Sequence, residues 1–190
     1  MPKQTAVDSS DDQEKLFQRL FDEHYLDIYR YCVRRVGVTD AEDTTADVFA
    51  VAWRRLEEMP EGEATRPWLY GVAFRVVANR YRTRLRHLRL VARVGSMTPR
   101  DSEDAAPSSP EFEADHEIEL LHAALDSLSS NDRELIRLSS WDGLSRGEIA
   151  QVLGINENAV DQRLYRARTR LKSRMALLDG SKIQEAGTAI

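Results

Sequence analysis

Apolar positions recur along this chain with helical spacing and show no strand-like alternation. From Gln13 to Val36, residues Leu16, Phe17, Leu20, Phe21, Ile28, Cys32 and Val36 fall on one broad face, and Gly37 ends the run. Thr39 and Glu42 have capping-box spacing, which predicts a second helix to about Glu58 with Val48, Phe49, Ala52, Trp53 and Leu56 along it. Met59 to Arg66, with Pro60 and Gly62, reads as a loop. Pro67 then suits the first turn of a third helix, where its missing N–H costs nothing. That helix carries Trp68, Leu69, Val72, Val76 and Val77 inward, followed by a run of arginines to Arg93. Met1 to Asp12 is a polar leader, expected to be disordered.

Residues 96–116 differ in kind. Pro99, Pro107, Pro110, several serines and a cluster of acids leave too little apolar surface to offset the entropy of ordering. A flexible acidic linker is expected there. The helical pattern returns at Glu117, with one helix through Leu128 and another from about Asn131 to Trp141. The expected fold is all-α: two small helical domains, residues 13–95 and 117–176, with a short tail at 177–190 whose Gly180 and Gly187 suggest fraying.

The second domain contains the densest local signal. Ser145 and Glu148 form a capping-box pattern, Leu144 and Ile149 can staple across it, and Gly154 suits a left-handed helix end. Asn156 can cap the next helix, whose Val160, Leu164, Ala167 and Leu171 make one buried stripe. From Gln162 to Arg174 that helix carries Arg163, Arg166, Arg168, Arg170, Lys172 and Arg174 and no acid. Short helix, tight turn and basic second helix make a helix-turn-helix whose second member fits a DNA major groove. The plainer alternative is a helical hairpin with a solvated basic face.

The net charge of −5 looks wrong for a DNA binder until it is divided along the chain. Residues 1–98 hold 16 basic and 15 acidic side chains, 99–116 hold 1 and 6, and 117–190 hold 10 and 11. Ala64 to Arg100 contains nine arginines and no acid. Phosphate affinity depends on the local field, screened over roughly 8–10 Å, so an acidic total does not exclude nucleic acid. The single cysteine excludes an internal disulfide, and the four histidines show no metal-ligand spacing, so no metal or cofactor is expected. No apolar run is long enough to span a bilayer and no charged-then-apolar leader is evident, so a cytoplasmic protein without membrane insertion is expected.

Three segments carry a family resemblance. Ala41-Glu42-Asp43-Thr44-Thr45-Ala46-Asp47-Val48-Phe49-Ala50-Val51-Ala52-Trp53 is similar to the A-E-D-x-x-Q-E-x-F-x-x-x-W polymerase-binding helix of bacterial sigma factors. Pro67-Trp68-Leu69-Tyr70-Gly71-Val72-Ala73 resembles their W-L-Y-x-I-A segment. Leu144 to Leu171 resembles L-S-x-x-E-I-A-x-x-L-G-x-S-x-x-T-V-K-x-R-L-x-R-A-R-x-x-L. In this order, around an acidic linker, they resemble the compact two-domain, extracytoplasmic-function group of RNA polymerase sigma factors.

That resemblance implies a protein that performs no bond-making. It would bind core RNA polymerase, recognise promoter DNA and be held inactive by an anti-sigma protein. Asp43 and Asp47 would face polymerase, with Phe49 and Trp53 beside them or simply in the core. Trp68, Arg75, Asn79 and Arg80 would meet the melted promoter element. Arginines beyond Arg84 suit a solvated helix end. The upstream element would be met by Arg133, Ser145, Asn158, Asp161, Gln162, Arg163, Arg166 and Arg170, with Arg168 and Arg170 suited to phosphate or solvent. The departures are Ala46 for the usual glutamine, the pair Thr44-Thr45 for apolar residues, Arg75 for asparagine and Asp161 for lysine. An acid at Asp161 either repels phosphate or accepts from a cytosine edge.

Two other classes compete. A response-regulator activator shares the last motif, but its amino-terminal half would be an α/β receiver with strands. A nucleic-acid enzyme needs clustered carboxylates or metal ligands, whereas the acids here are dispersed.

Overall fold

The computed structural model describes residues 5–94 and 116–187, with side chains over 11–90 and 120–178. The chain divides into two compact units, Met1–Ser108 and Ser109–Ile190. The described residues are helical in both, and none of them lies in a strand. The linker expected over 96–116 falls outside the described residues except at His116, where a helix begins.

In the first unit, α1 (Thr5–Val36) packs against α2 (Val38–Arg54) and α3 (Thr65–Val94), and α2 packs on α3. Helix α1 takes in part of the polar leader, beginning eight residues before the expected start at Gln13. Gly37 alone separates α1 from α2. Its φ of 82° turns the chain, and its N–H donates to the Val33 carbonyl at 3.0 Å. Because α2 starts at once, Thr39 lies inside the first turn and exposed, and the helix has no side-chain cap. The expected Thr39–Glu42 capping box is therefore not formed.

Leu20, Ile28, Tyr31 and Cys32 of α1, Val48 and Ala52 of α2, and Leu69, Val72 and Ala73 of α3 are buried together as the core of this unit. Tyr31 and Tyr70 meet edge to face with centroids 5.5 Å apart. Thr44 and Thr45, polar where the resembled family is apolar, are also buried. Their hydroxyls donate back to the carbonyls of Asp40 (2.6 Å) and Ala41 (2.7 Å), so no hydroxyl proton is left unsatisfied. Between α2 and α3 lie two single 3-10 turns, Leu56–Glu58 and Gly62–Ala64, and Pro67 is buried in the first turn of α3.

The second unit holds α4 (His116–Asp126), α5 (Ser130–Ser140), α6 (Arg146–Leu153) and α7 (Glu157–Gly187). Helix α7 packs on the other three. Leu125, Leu128, Ile136 and Ala167 form a buried cluster, with Leu121 and Leu171 packed against it. The frayed tail expected after Met175 is corrected, because α7 continues through Gly187. An interior glycine such as Gly180 costs a helix about 1 kcal/mol, too little to end one by itself. Among the described residues no helix is long and apolar enough to cross a membrane.

Candidate nucleic-acid interface

The turn between α6 and α7 is built by local chemistry. The Ser145 hydroxyl accepts from the Glu148 N–H at 3.3 Å, and the Glu148 carboxylate accepts from the Ser145 N–H at 2.7 Å, so the capping box is formed. Gly154 ends α6 in the left-handed region at φ 65°, ψ 37°. The Asn156 side-chain oxygen accepts from the Ala159 N–H at 2.8 Å and starts α7. A Cβ on Gly147 would stand 3.3 Å from the carboxylate end of the exposed Glu157 side chain, so the first turns of the two helices lie within side-chain reach of each other. Leu144 and Ile149 are both buried, as a staple requires.

Val160, Leu164 and Ala167 turn inward and are buried, with Leu171 half-buried after them. That orientation leaves Asn158, Gln162, Tyr165, Arg166 and Thr169 exposed on the opposite face. Tyr165 is 75% exposed, a large aromatic ring held out on the helix that would enter the groove. It was missed as a candidate, although it shares the face of Asn158 and Gln162 by the spacing i, i+4, i+7. On one flank Asp161 is paired with Arg146 of α6, Nη1 to Oδ2 at 2.9 Å. Beyond it Arg168 donates to the Ser139 hydroxyl at 3.1 Å. An open cleft of about 450 Å³ runs between these contacts, lined also by Leu164, Tyr165 and Lys172. On the other flank Arg163 is exposed and Arg170 pairs with Asp132 of α5 at 2.6 Å.

Arg133 is not part of this surface. It is 5% exposed, and its guanidinium donates to the carbonyls of Leu125 (3.0 Å), Asp126 (2.8 Å) and Leu128 (3.3 Å). It closes the carboxyl-terminal end of α4, where carbonyls lack helical partners. The expected role in upstream DNA contact is corrected accordingly. Ser145 is exposed, with its hydroxyl already accepting in the cap.

In the first unit the candidates divide between a core and a surface. Phe49 is 3% exposed, with Phe21, Tyr25 and Phe17 at centroid distances of 4.8, 6.2 and 6.3 Å. It is a core residue. Trp53 is 45% exposed and meets Phe17 edge-on at 5.0 Å, so one side of the ring is left open. Asp43 and Asp47 are exposed on α2. Arg75 and Asn79 are exposed on α3, while Trp68 is half-buried near its start. Arg80 reaches across from α3 to α2 and pairs with Asp40 at 3.1 Å and Asp47 at 3.7 Å. Residues proposed for different partners thus meet in one ion-pair group, and Asp40 is an acid the sequence did not single out. The loop before α3 is pinned at both ends. Thr65 donates to the Pro60 carbonyl at 2.7 Å, and the Arg55 guanidinium binds the Glu58 carboxylate, holding that carboxyl below its ordinary range through the hydrogen bond it supplies.

Comparison with known proteins bears on both units. Residues 20–87 match the family described as sigma-70 region 2, and residues 118–171 match the family described as sigma-70, region 4. The chain is 36% identical over 158 residues to RNA polymerase sigma factor NccH of Alcaligenes xylosoxydans xylosoxydans, covering 79% of this chain and 80% of that protein. It is 32% identical over 157 residues to ECF RNA polymerase sigma factor SigL of Mycobacterium tuberculosis, covering 80% of this chain and 84% of that one. Among solved structures it is similar to CnrH in complex with the cytosolic domain of CnrY, with a TM-score of 0.56, 27% identity, and coverage of 86% and 88%.

Proposed function

The chain belongs to the extracytoplasmic-function group of the sigma-70 family, and from that premise we propose how its two units divide the start of transcription. It is a sigma factor, which binds core RNA polymerase and directs initiation at particular promoters. Its own part is positioning and strand separation, with no bond made or broken by its side chains. The reading places it in the cytoplasm, where polymerase and promoter are. The similar protein CnrH is solved in complex with the cytosolic domain of CnrY, which supports a protein partner here, and we assign that role to an anti-sigma protein.

Residues 13–95 take the polymerase and the melted element. Asp43 and Asp47 supply charge toward a basic polymerase surface, and the open side of Trp53 supplies apolar contact. A melted strand exposes unstacked bases and closely spaced phosphates. Arg75 and Arg80 offer cations to the phosphates, Asn79 offers an amide to a base edge, and Trp68, half-buried near the start of the same helix, offers a ring on which an unstacked base can rest. Phe49 contributes by fixing α2 against α1.

Residues 117–176 take the upstream element as duplex. Asn158 and Gln162, on the first turns of α7, are assigned to base edges, with Tyr165 close behind them. Arg163, Arg166 and Arg170 are assigned to phosphates. The observation that carries this reading is the finished α6–α7 turn, with both caps formed and the polar outer face of α7 left clear. Run-off transcription with purified core polymerase tests it. The full chain should give defined start sites on promoter templates that core enzyme alone does not use, and their absence on a broad promoter library would overturn the reading.

A further inference from the structure

We propose that Asp161 and Arg146 form one specificity-determining pair, in which Asp161 positions the Arg146 guanidinium to read a guanine of the upstream element. This rests on the reading that α6 and α7 dock on duplex DNA. Arg146 opens α6 and Asp161 lies early in α7, and their side chains meet at 2.9 Å while remaining 65% and 46% exposed. The packing of α6 on α7 across their capped turn sets the two helix starts beside one another. In this motif the early turns of the second helix reach base edges, so the pair stands at the groove.

An acid facing DNA is unfavourable unless something offsets it. Here the offset is built in, because Arg146 neutralises Asp161 from the neighbouring helix. The contact within the pair uses one terminal nitrogen of the guanidinium. The guanidinium carries further N–H donors in a planar fork, which suits the O6 and N7 acceptors of guanine. An unsupported arginine at an exposed helix start samples many rotamers, whereas a carboxylate on one side of the fork aims the other. The lysine found at this position in the resembled pattern would repel Arg146. The pair is therefore a feature of this chain, and it extends base reading from the recognition helix to its neighbour.

The test uses holoenzyme assembled from core polymerase and the full chain, bound to duplexes randomised across the upstream element. Asp161→Ala and Arg146→Ala should erase preference for guanine at the same single position, and Asp161→Glu should retain it. Arg146→Ala should weaken binding to the preferred sequence about tenfold. It should bind worse than the double variant, because it leaves the acid uncovered. Unfolding midpoints should hardly move, since an exposed ion pair contributes little to stability. Several results would overturn the proposal. These are tighter binding of Asp161→Ala to every sequence, uniform weakening by Arg146→Ala without a change of preference, or effects at different positions for the two variants. If wild-type holoenzyme shows no upstream preference at all, the underlying reading fails and the pair falls with it.

Discussion

The two units handle charge in opposite ways. In the helix-turn-helix unit each flank of α7 has its own ion pair, Asp161 with Arg146 on one side and Arg170 with Asp132 on the other. The outer face between them is clear, so the groups assigned to DNA are sorted by position along α7, with Arg146 of α6 at one flank. In the amino-terminal unit, Arg80 joins α3 to Asp40 and Asp47 of α2, and so ties a group assigned to the melted strand to one assigned to polymerase. A surface dedicated to one partner can be laid out along a single element. A surface that serves two partners brings their residues into contact, and binding one partner then alters what is available to the other.

The largest expected effect falls on the aromatic core of the first unit. Phe49→Ala should cost about 3–5 kcal/mol and unfold that unit well before the second. Trp53→Ala, at the half-open position beside it, should instead weaken polymerase binding with a smaller loss of stability. Differential scanning calorimetry paired with a polymerase pull-down separates the two. Equal loss of stability would show that Trp53 is core as well.

Arg133→Ala tests the second unit in the same way. It strands carbonyls at the end of α4 and should cost about 3 kcal/mol, with DNA preference unchanged in the folded fraction. Altered preference without loss of stability would return Arg133 to the DNA surface. Ser145→Ala removes a helix cap, an effect of about 1 kcal/mol read by chemical denaturation. No change would mean that Glu148 alone holds the start of α6.

The smallest change in stability comes from the shared group in the first unit. Replacing Asp40 and Asp47 with asparagine should shift stability by less than about 1 kcal/mol, because the pairs are partly exposed. It should free Arg80 and raise binding of the isolated full chain to single-stranded promoter DNA about threefold, measured by fluorescence anisotropy. Unchanged binding would separate the two sites and remove the contrast between the units.

What was legible in the sequence divides along the same line. Ser145 with Glu148, Gly154 and Asn156 act over three or four residues, so spacing alone revealed them, and the helix-turn-helix follows from them. Thr39 with Glu42 has the same spacing but forms no cap, because the turn at Gly37 starts α2 two residues too early. Periodicity showed that Phe49 lies on a helix, but not whether its ring faces a partner or the core. The three rings that decide this are brought to it by α1. Arg133 looked like any exposed cation in sequence, since its acceptors are backbone carbonyls that no side-chain pattern marks. The Arg80 group was hidden for a related reason: 40 positions separate Arg80 from Asp40, and only the packing of α3 on α2 joins them.

The division of labour between the units is tested most directly by one selection experiment. Holoenzyme carrying Gln162→Ala is allowed to choose promoters from a library randomised in both the upstream and the downstream element, alongside wild type. The expected result is a changed preference at particular base pairs of the upstream element, about 1–3 kcal/mol per lost contact, with the downstream preference and core binding untouched. A changed downstream preference, or an upstream preference identical to wild type, would contradict the placement of α7 in the groove and the separation of roles built on it.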